Sequence, residues 1–166
     1  MIVARALEIL ERGATQHALG SALHGPGHWK RVALAAHHLA VPDADGLVVL
    51  LFAMIHDSQR HNDDHDPLHG PRAAAFAHAF AELIAEGQLR ILSEACADHA
   101  SGRLSTHPTI AVCFDADRLN LWRVGITPSA AFMSTQAGRR PAAITWAREL
   151  QSAPLPSWEQ LGERLL

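Results

Sequence analysis

The chain has 166 residues, 48% hydrophobic and 5% aromatic, with no tyrosine and a net charge of −3 when histidine is neutral. That length fits one domain with a continuous core and no need of disulfide or zinc staples. The absence of a dense Lys/Arg run excludes the electrostatic footprint of a polymeric nucleic-acid binder, and two cysteines are too few for a disulfide scaffold.

Alanine and leucine dominate, which favours helix over strand and predicts an all-α bundle of seven or more helices. Residues 2–12 read as an opening helix, followed by a connecting loop marked by Gly13, Gly20 and Gly25-Pro26-Gly27. A helix over 27–40 carries Trp29, Val32, Ala33, Ala36, Leu39 and Ala40 at helical spacing, with His28 in its first turn, and Pro42 ends it. The segment 45–56 is apolar on every side, as expected of a central helix, and it ends in His56-Asp57. A polar stretch without period, 58–70, forms a loop directly after that pair.

Further helices are expected over 71–86 and 88–99, where Leu89, Leu92, Cys96 and His99 share one stripe. Pro108 opens the next, with an apolar stripe through Ile110, Cys113, Phe114 and Leu121. Asp117 lies on that stripe, whereas Asp115 is rotated from it by roughly 200°. The chain closes with helices over 141–151 and 157–165. Nothing suggests a second domain, so 1–166 reads as one unit with a helical extension over 126–166. No signal-peptide pattern opens it, and the nine-residue apolar run Leu47–Ile55 is too short to span a bilayer. A cytoplasmic protein with reduced core cysteines Cys96 and Cys113 is therefore expected.

An ionised carboxylate carried inward by an apolar segment is strongly disfavoured unless a cation or several donors meet it. Inward or junctional polar residues, His28, His56, Asp57, His99 and Asp117, come from four separate predicted helices. Imidazole and carboxylate together suit Mn, Fe, Co, Ni or Zn, and a helical bundle can hold such a site in its core. Plainer readings stand beside this one. Asp57 would serve as a helix terminus, Asp117 as partner of Arg31 or Arg118, His28 as a helix-start residue, and His99 as a hydrogen-bonded core histidine.

The order of these residues resembles the HD-domain superfamily of metal-dependent phosphohydrolases. His28-Trp29-Lys30-Arg31-Val32 matches the family's H-x-x-R-V form, His56-Asp57 the doublet, and Ala116-Asp117-Arg118-Leu119 is similar to its A-D-R-L segment. The resemblance covers residues 24–125. It implies an HD-type helical bundle with His28, His56, Asp57 and Asp117 as metal ligands. His69 and His99 fit the extra histidines of two-metal members, with His65 competing for the first slot, while Gly25-Pro26-Gly27 argues against a role for His24. One divalent ion, transition metal or Mg, is expected, and a second at His69 and His99 is left open.

The resemblance implies hydrolysis of a small phosphorylated molecule, a nucleotide foremost, by metal-activated water. Asp57 would be ligand and water orienter, His69 or His99 a proton carrier, and Arg60 and Arg118 phosphate contacts. The rivals are di-iron oxygen chemistry and a metal- or nucleotide-binding sensor without turnover. Apart from a small phosphate substrate, no nucleic-acid or membrane partner is expected, and a homodimer is left open. Glycine-tyrosine-proline, the second motif of cyclic-dinucleotide hydrolases, does not occur.

Overall fold

A computed structural model describes all 166 residues. It is all-helical: α1 (Ile2–Gly13), α2 (Gln16–Gly20), α3 (Pro26–Leu39), α4 (Gly46–Ile55), α5 (His69–Phe76), α6 (Glu86–Asp98), α7 (Pro108–Leu119), α8 (Pro141–Leu150) and α9 (Trp158–Leu165), with short 3₁₀ segments after α5 and α7 and at 130–132. No helix is long and apolar enough to cross a membrane.

Helix α4 is the axis of the molecule. Every residue from Val48 to Ile55 is buried, because α3, α6, α7 and α9 pack around it. A helix apolar on all faces finds its place only where neighbours cover each one. Asp45 starts it, its side chain accepting from the Val48 amide at 3.1 Å and from Gln88 Nε2 at 2.7 Å. The Asp45 amide in turn donates to Thr109 Oγ1 at 3.0 Å. One cap therefore links α4, α6 and α7. The core is one cluster of buried side chains from Ala6 to Leu161, and it includes Cys96 and Cys113 as free thiols.

Two segments differ from the sequence expectation. The loop expected after Gly13 contains α2, started by Thr15, whose hydroxyl accepts from the Ala18 amide at 3.0 Å. Five residues are too few to show a period, but the cap residue is present. The helix expected over 71–86 begins earlier, at His69, and gives way to a 3₁₀ turn at Ala77–Phe80. Three-residue winding stacks Ala77 directly on Phe80 and buries both completely.

Helix α5 reaches α6 because residue 70 is glycine. A Cβ there would lie 2.8 Å from the carbonyl oxygens of both Cys96 and Ala97. Backbone would have to move, and His69 with it. Gly70→Ala should cost ~1–3 kcal/mol by overpacking, measured by urea unfolding. Gly87→Ala, with no atom within 4 Å of the added carbon, should instead be neutral or stabilise by up to ~1 kcal/mol.

Candidate metal centre

The site is built at helix ends. His28 lies in the first turn of α3, held by Gly25 and Pro26 at its start. His56 caps the C-terminus of α4 and Asp57 follows in the turn. His69 is the first residue of α5, His99 the C-cap of α6, and Asp117 sits in the last turn of α7. Three of the imidazoles are fixed by backbone carbonyls. His56 Nδ1–H donates to Phe52 O at 3.1 Å, His99 Nδ1–H to Cys96 O at 2.7 Å, and His69 Nδ1–H to Asp66 O. Carbonyls only accept, so these partners assign the proton to Nδ1 and leave each neutral Nε2 as a bare lone pair facing the centre.

Two sets of ligand atoms result, His28, His56 and Asp117 in one and Asp57, His69 and His99 in the other, each set within 4.8 Å. In the first, His28 Nε2 is 3.1 Å from His56 Nε2 and 3.2 Å from Asp117 Oδ1. A proton on His28 Nε2 can satisfy that contact. The second is more demanding: His69 Nε2 and His99 Nε2 are 2.9 Å apart, and both ring protons are already spent on carbonyls. Two lone pairs at that distance repel unless a cation, a metal ion or an added proton, lies with them. Asp57 stands between the sets. Its Oδ2 is 3.6 Å from both His28 Nε2 and His56 Nε2, and its Oδ1 is 3.3 Å from His69 Nε2 and 3.6 Å from His99 Nε2.

Burial and charge leave most of these groups in the protonation states a metal requires. Burial lowers His28 to about 3 and His69 to about 4, and it also lowers His56. Burial disfavours ionised Asp57 and Asp117, yet the neighbouring histidines, and Arg123 beside Asp117, hold both below the usual carboxylate range. His99 departs from the pattern. Burial opposes its charge, but Asp57 and Asp117 outweigh burial and raise it, which marks where the two carboxylates demand positive charge. Asp117 Oδ1 is buried without a properly aligned hydrogen bond, although His28 lies close by. The nitrogen and carboxylate donors, the bare lone pairs and this orphaned oxygen together fit a divalent metal. The buried His/Asp clusters could hold such an ion.

A cavity of about 430 Å³ opens onto Asp57, His69, His99 and Asp117. His28 and His56 are fully buried behind them. Arg60 also lines the cavity, its Nε donating to Asp57 Oδ1 at 3.0 Å. Arg118 lines it too, but its guanidinium is committed to Phe132 O at 2.8 Å and Arg103 O at 2.6 Å and lies over the Phe114 ring. The arginine beside the carboxylates is Arg123, with Nη2 3.8 Å from Asp117 Oδ1 and 3.9 Å from Asp57 Oδ2. It follows α7 on a 3₁₀ segment, where no helical period points to it. Sequence reasoning also set aside His24. The turn at 22–24 brings its Nδ1 to 3.1 Å from Asp57 Oδ2, held there by Trp29 Nε1 donating to His24 O at 2.6 Å. His65 is exposed and His69 buried. Asp115, off the stripe, is nonetheless buried and accepts from the Ser134 and Thr135 amides at 2.6 and 2.7 Å.

Compared with known proteins, the chain matches no protein-family model, no curated protein and no solved structure.

Asp66 organises the loop that leads to His69. Its carboxylate accepts from Arg72 and from the His61 amide. Burial opposes ionisation, but these partners prevail and lower the group from 3.8 to about 2. Its folded-state value is depressed, so its contribution to stability is complete above about 4 and is lost as pH falls toward 2. The melting-temperature gap between wild type and Asp66→Asn should therefore be full at pH 7 and narrow steadily from pH 4 to pH 3. A gap independent of pH would contradict this account.

Proposed function

We propose that the protein is a metal-dependent phosphohydrolase of the HD type, acting on a small phosphorylated molecule. The observation that carries this reading is the buried Asp57 carboxylate, one oxygen turned to His28 and His56 and the other to His69 and His99, at the floor of an open cavity. His28, His56, Asp57 and Asp117 would hold one ion, and Asp57, His69 and His99 a second. The 2.9 Å contact between His69 and His99 favours occupancy of both.

Bound metal would supply a water of lowered pKa and a positive field for the phosphoryl oxygens. The chain's own residues do the rest. Asp57 orients the attacking water through its carboxylate. Arg123, whose guanidinium reaches both carboxylates and the cavity, is the anchor for a phosphate oxygen, and Arg60 is a second donor on the opposite side of Asp57. His24 holds Asp57 Oδ2 and is a positioning residue. Water attacks phosphorus, the ester oxygen leaves with a proton, and the products are an alcohol and inorganic phosphate.

Elemental analysis of the purified protein should find up to two divalent ions per chain. A phosphomonoester panel should show turnover that chelator abolishes and metal restores. Asp57→Ala should lose about 100-fold or more in kcat, at least the upper range seen when groups supporting a ligand are removed, with its helical circular dichroism retained. Equal turnover by wild type and Asp57→Ala would refute the proposal, and turnover that requires oxygen would transfer the site to oxygenase chemistry. Arg123→Ala should raise KM ~10-fold or more, the value of one charge-assisted hydrogen bond, while leaving the metal content unchanged.

A further inference from the structure

The cavity has two unlike kinds of lining. One comprises the carboxylates, imidazoles and arginines of the candidate metal centre. The other comprises Leu121, Val124, Ile126, Phe132 and Met133, from the chain around and beyond the 3₁₀ segment that follows α7. Three of these side chains stand open at the rim, Val124 at 38%, Ile126 at 53% and Phe132 at 57% exposure. Eight large hydrophobic residues are exposed in the whole protein, and Met1 and Leu166 among them are the chain ends. Half of the remaining six thus edge this one cavity, a concentration that scattered surface residues do not produce.

Polar groups on that wall are few and mostly engaged. Arg118 is spent on two backbone carbonyls. Ser129 Oγ accepts from the Ala131 amide. Thr127 is the remaining hydroxyl of the lining. A ribose or a polyhydroxylated chain seated there would bury several hydroxyls without partners, at a cost for each. An alkyl or isoprenoid-like chain would bury the rim instead and cost nothing in hydrogen bonds.

From this division, and resting on the phosphohydrolase reading, we infer that the substrate is a monophosphate ester of an apolar alcohol. Its phosphate would lie at Arg123, Arg60 and Asp57, and its hydrocarbon body against Val124, Ile126 and Phe132. This departs from the nucleotide expected from the family resemblance. The occupant is a ligand body rather than another protein surface because the apolar wall is concave and continuous with the anionic site.

The test uses three non-hydrolysable probes on the purified 166-residue chain, read by titration calorimetry: hexylphosphonate, methylphosphonate and 2,3-dihydroxypropylphosphonate. Hexylphosphonate should bind ~10-fold or more tighter than either other probe, as expected for several methylenes leaving water. Phe132→Ser and Ile126→Ser, changes at exposed positions that the core does not need, should each remove much of that preference and leave methylphosphonate affinity unaltered. Equal affinity for hexyl and dihydroxypropyl probes, a preference unaffected by both variants, or no binding of any probe would overturn the inference. Because the readout is binding, it is independent of turnover. Hydrolysis of phosphate esters without the hexyl preference would refute this inference alone. A hexyl preference in a protein that hydrolyses no ester would uphold the apolar subsite and refute the hydrolase.

Discussion

Everything in the centre of this protein is arranged around one buried negative charge. Asp57 arrives at the end of the most apolar helix in the chain and is almost completely removed from water. Alone, it would neutralise or unfold its surroundings. The fold instead delivers His24 and Arg60 to its two oxygens and sets an imidazole pair beside each. Three of the helices that bury α4, namely α3, α6 and α7, also carry His28, His99 and Asp117, so much of the site is assembled by core packing.

The use of helix termini explains how so many donors converge without strain. The last carbonyls of a helix lack partners within it. His99 meets such a carbonyl, Cys96 O, with Nδ1–H, and His56 Nδ1–H reaches Ala53 O besides Phe52 O, which already accepts the His56 amide; in doing so both fix their own tautomer and ring orientation. A group that would otherwise be a capping problem becomes the device that aims a ligand atom. His69 obtains the same result from the loop before α5, and the missing side chain at Gly70 lets that helix come close enough for His69 to meet His99.

Much of this was legible in the sequence, for reasons that can be traced residue by residue. The nine apolar residues before His56 give α4 its central place, and the phase of the stripe through Cys113, Phe114 and Leu121 turns Asp117 inward. His99 follows from the same periodic logic, and His28 from its place in the first turn of its helix. What escaped lies where no period operates. Arg123 rides on a 3₁₀ turn, and α2 is too short to show a stripe. His24 precedes Gly25-Pro26-Gly27, which reads as a separation, yet the indole of Trp29 ties that turn back against the helix. The stop of α5 at Phe76 depends on burying Ala77 and Phe80 along one line, a tertiary demand that local composition does not carry.

Helix α7 has a mechanical role besides its ligand. Asp115 fastens the backbone at Ser134 and Thr135, and Arg118 grips the carbonyls of Phe132 and Arg103, while Asp117 between them faces the carboxylate cluster. A single turn of one rod thus suspends the rim of the cavity and supplies its floor. The carboxylate floor and the apolar rim are tied to one helix, so a roll of α7 would move both. Adaptation of this scaffold to a new ligand is consequently channelled to side-chain exchange along the rim, where Ile126 and Phe132 are free of the core, while the backbone from 103 to 135 keeps its register.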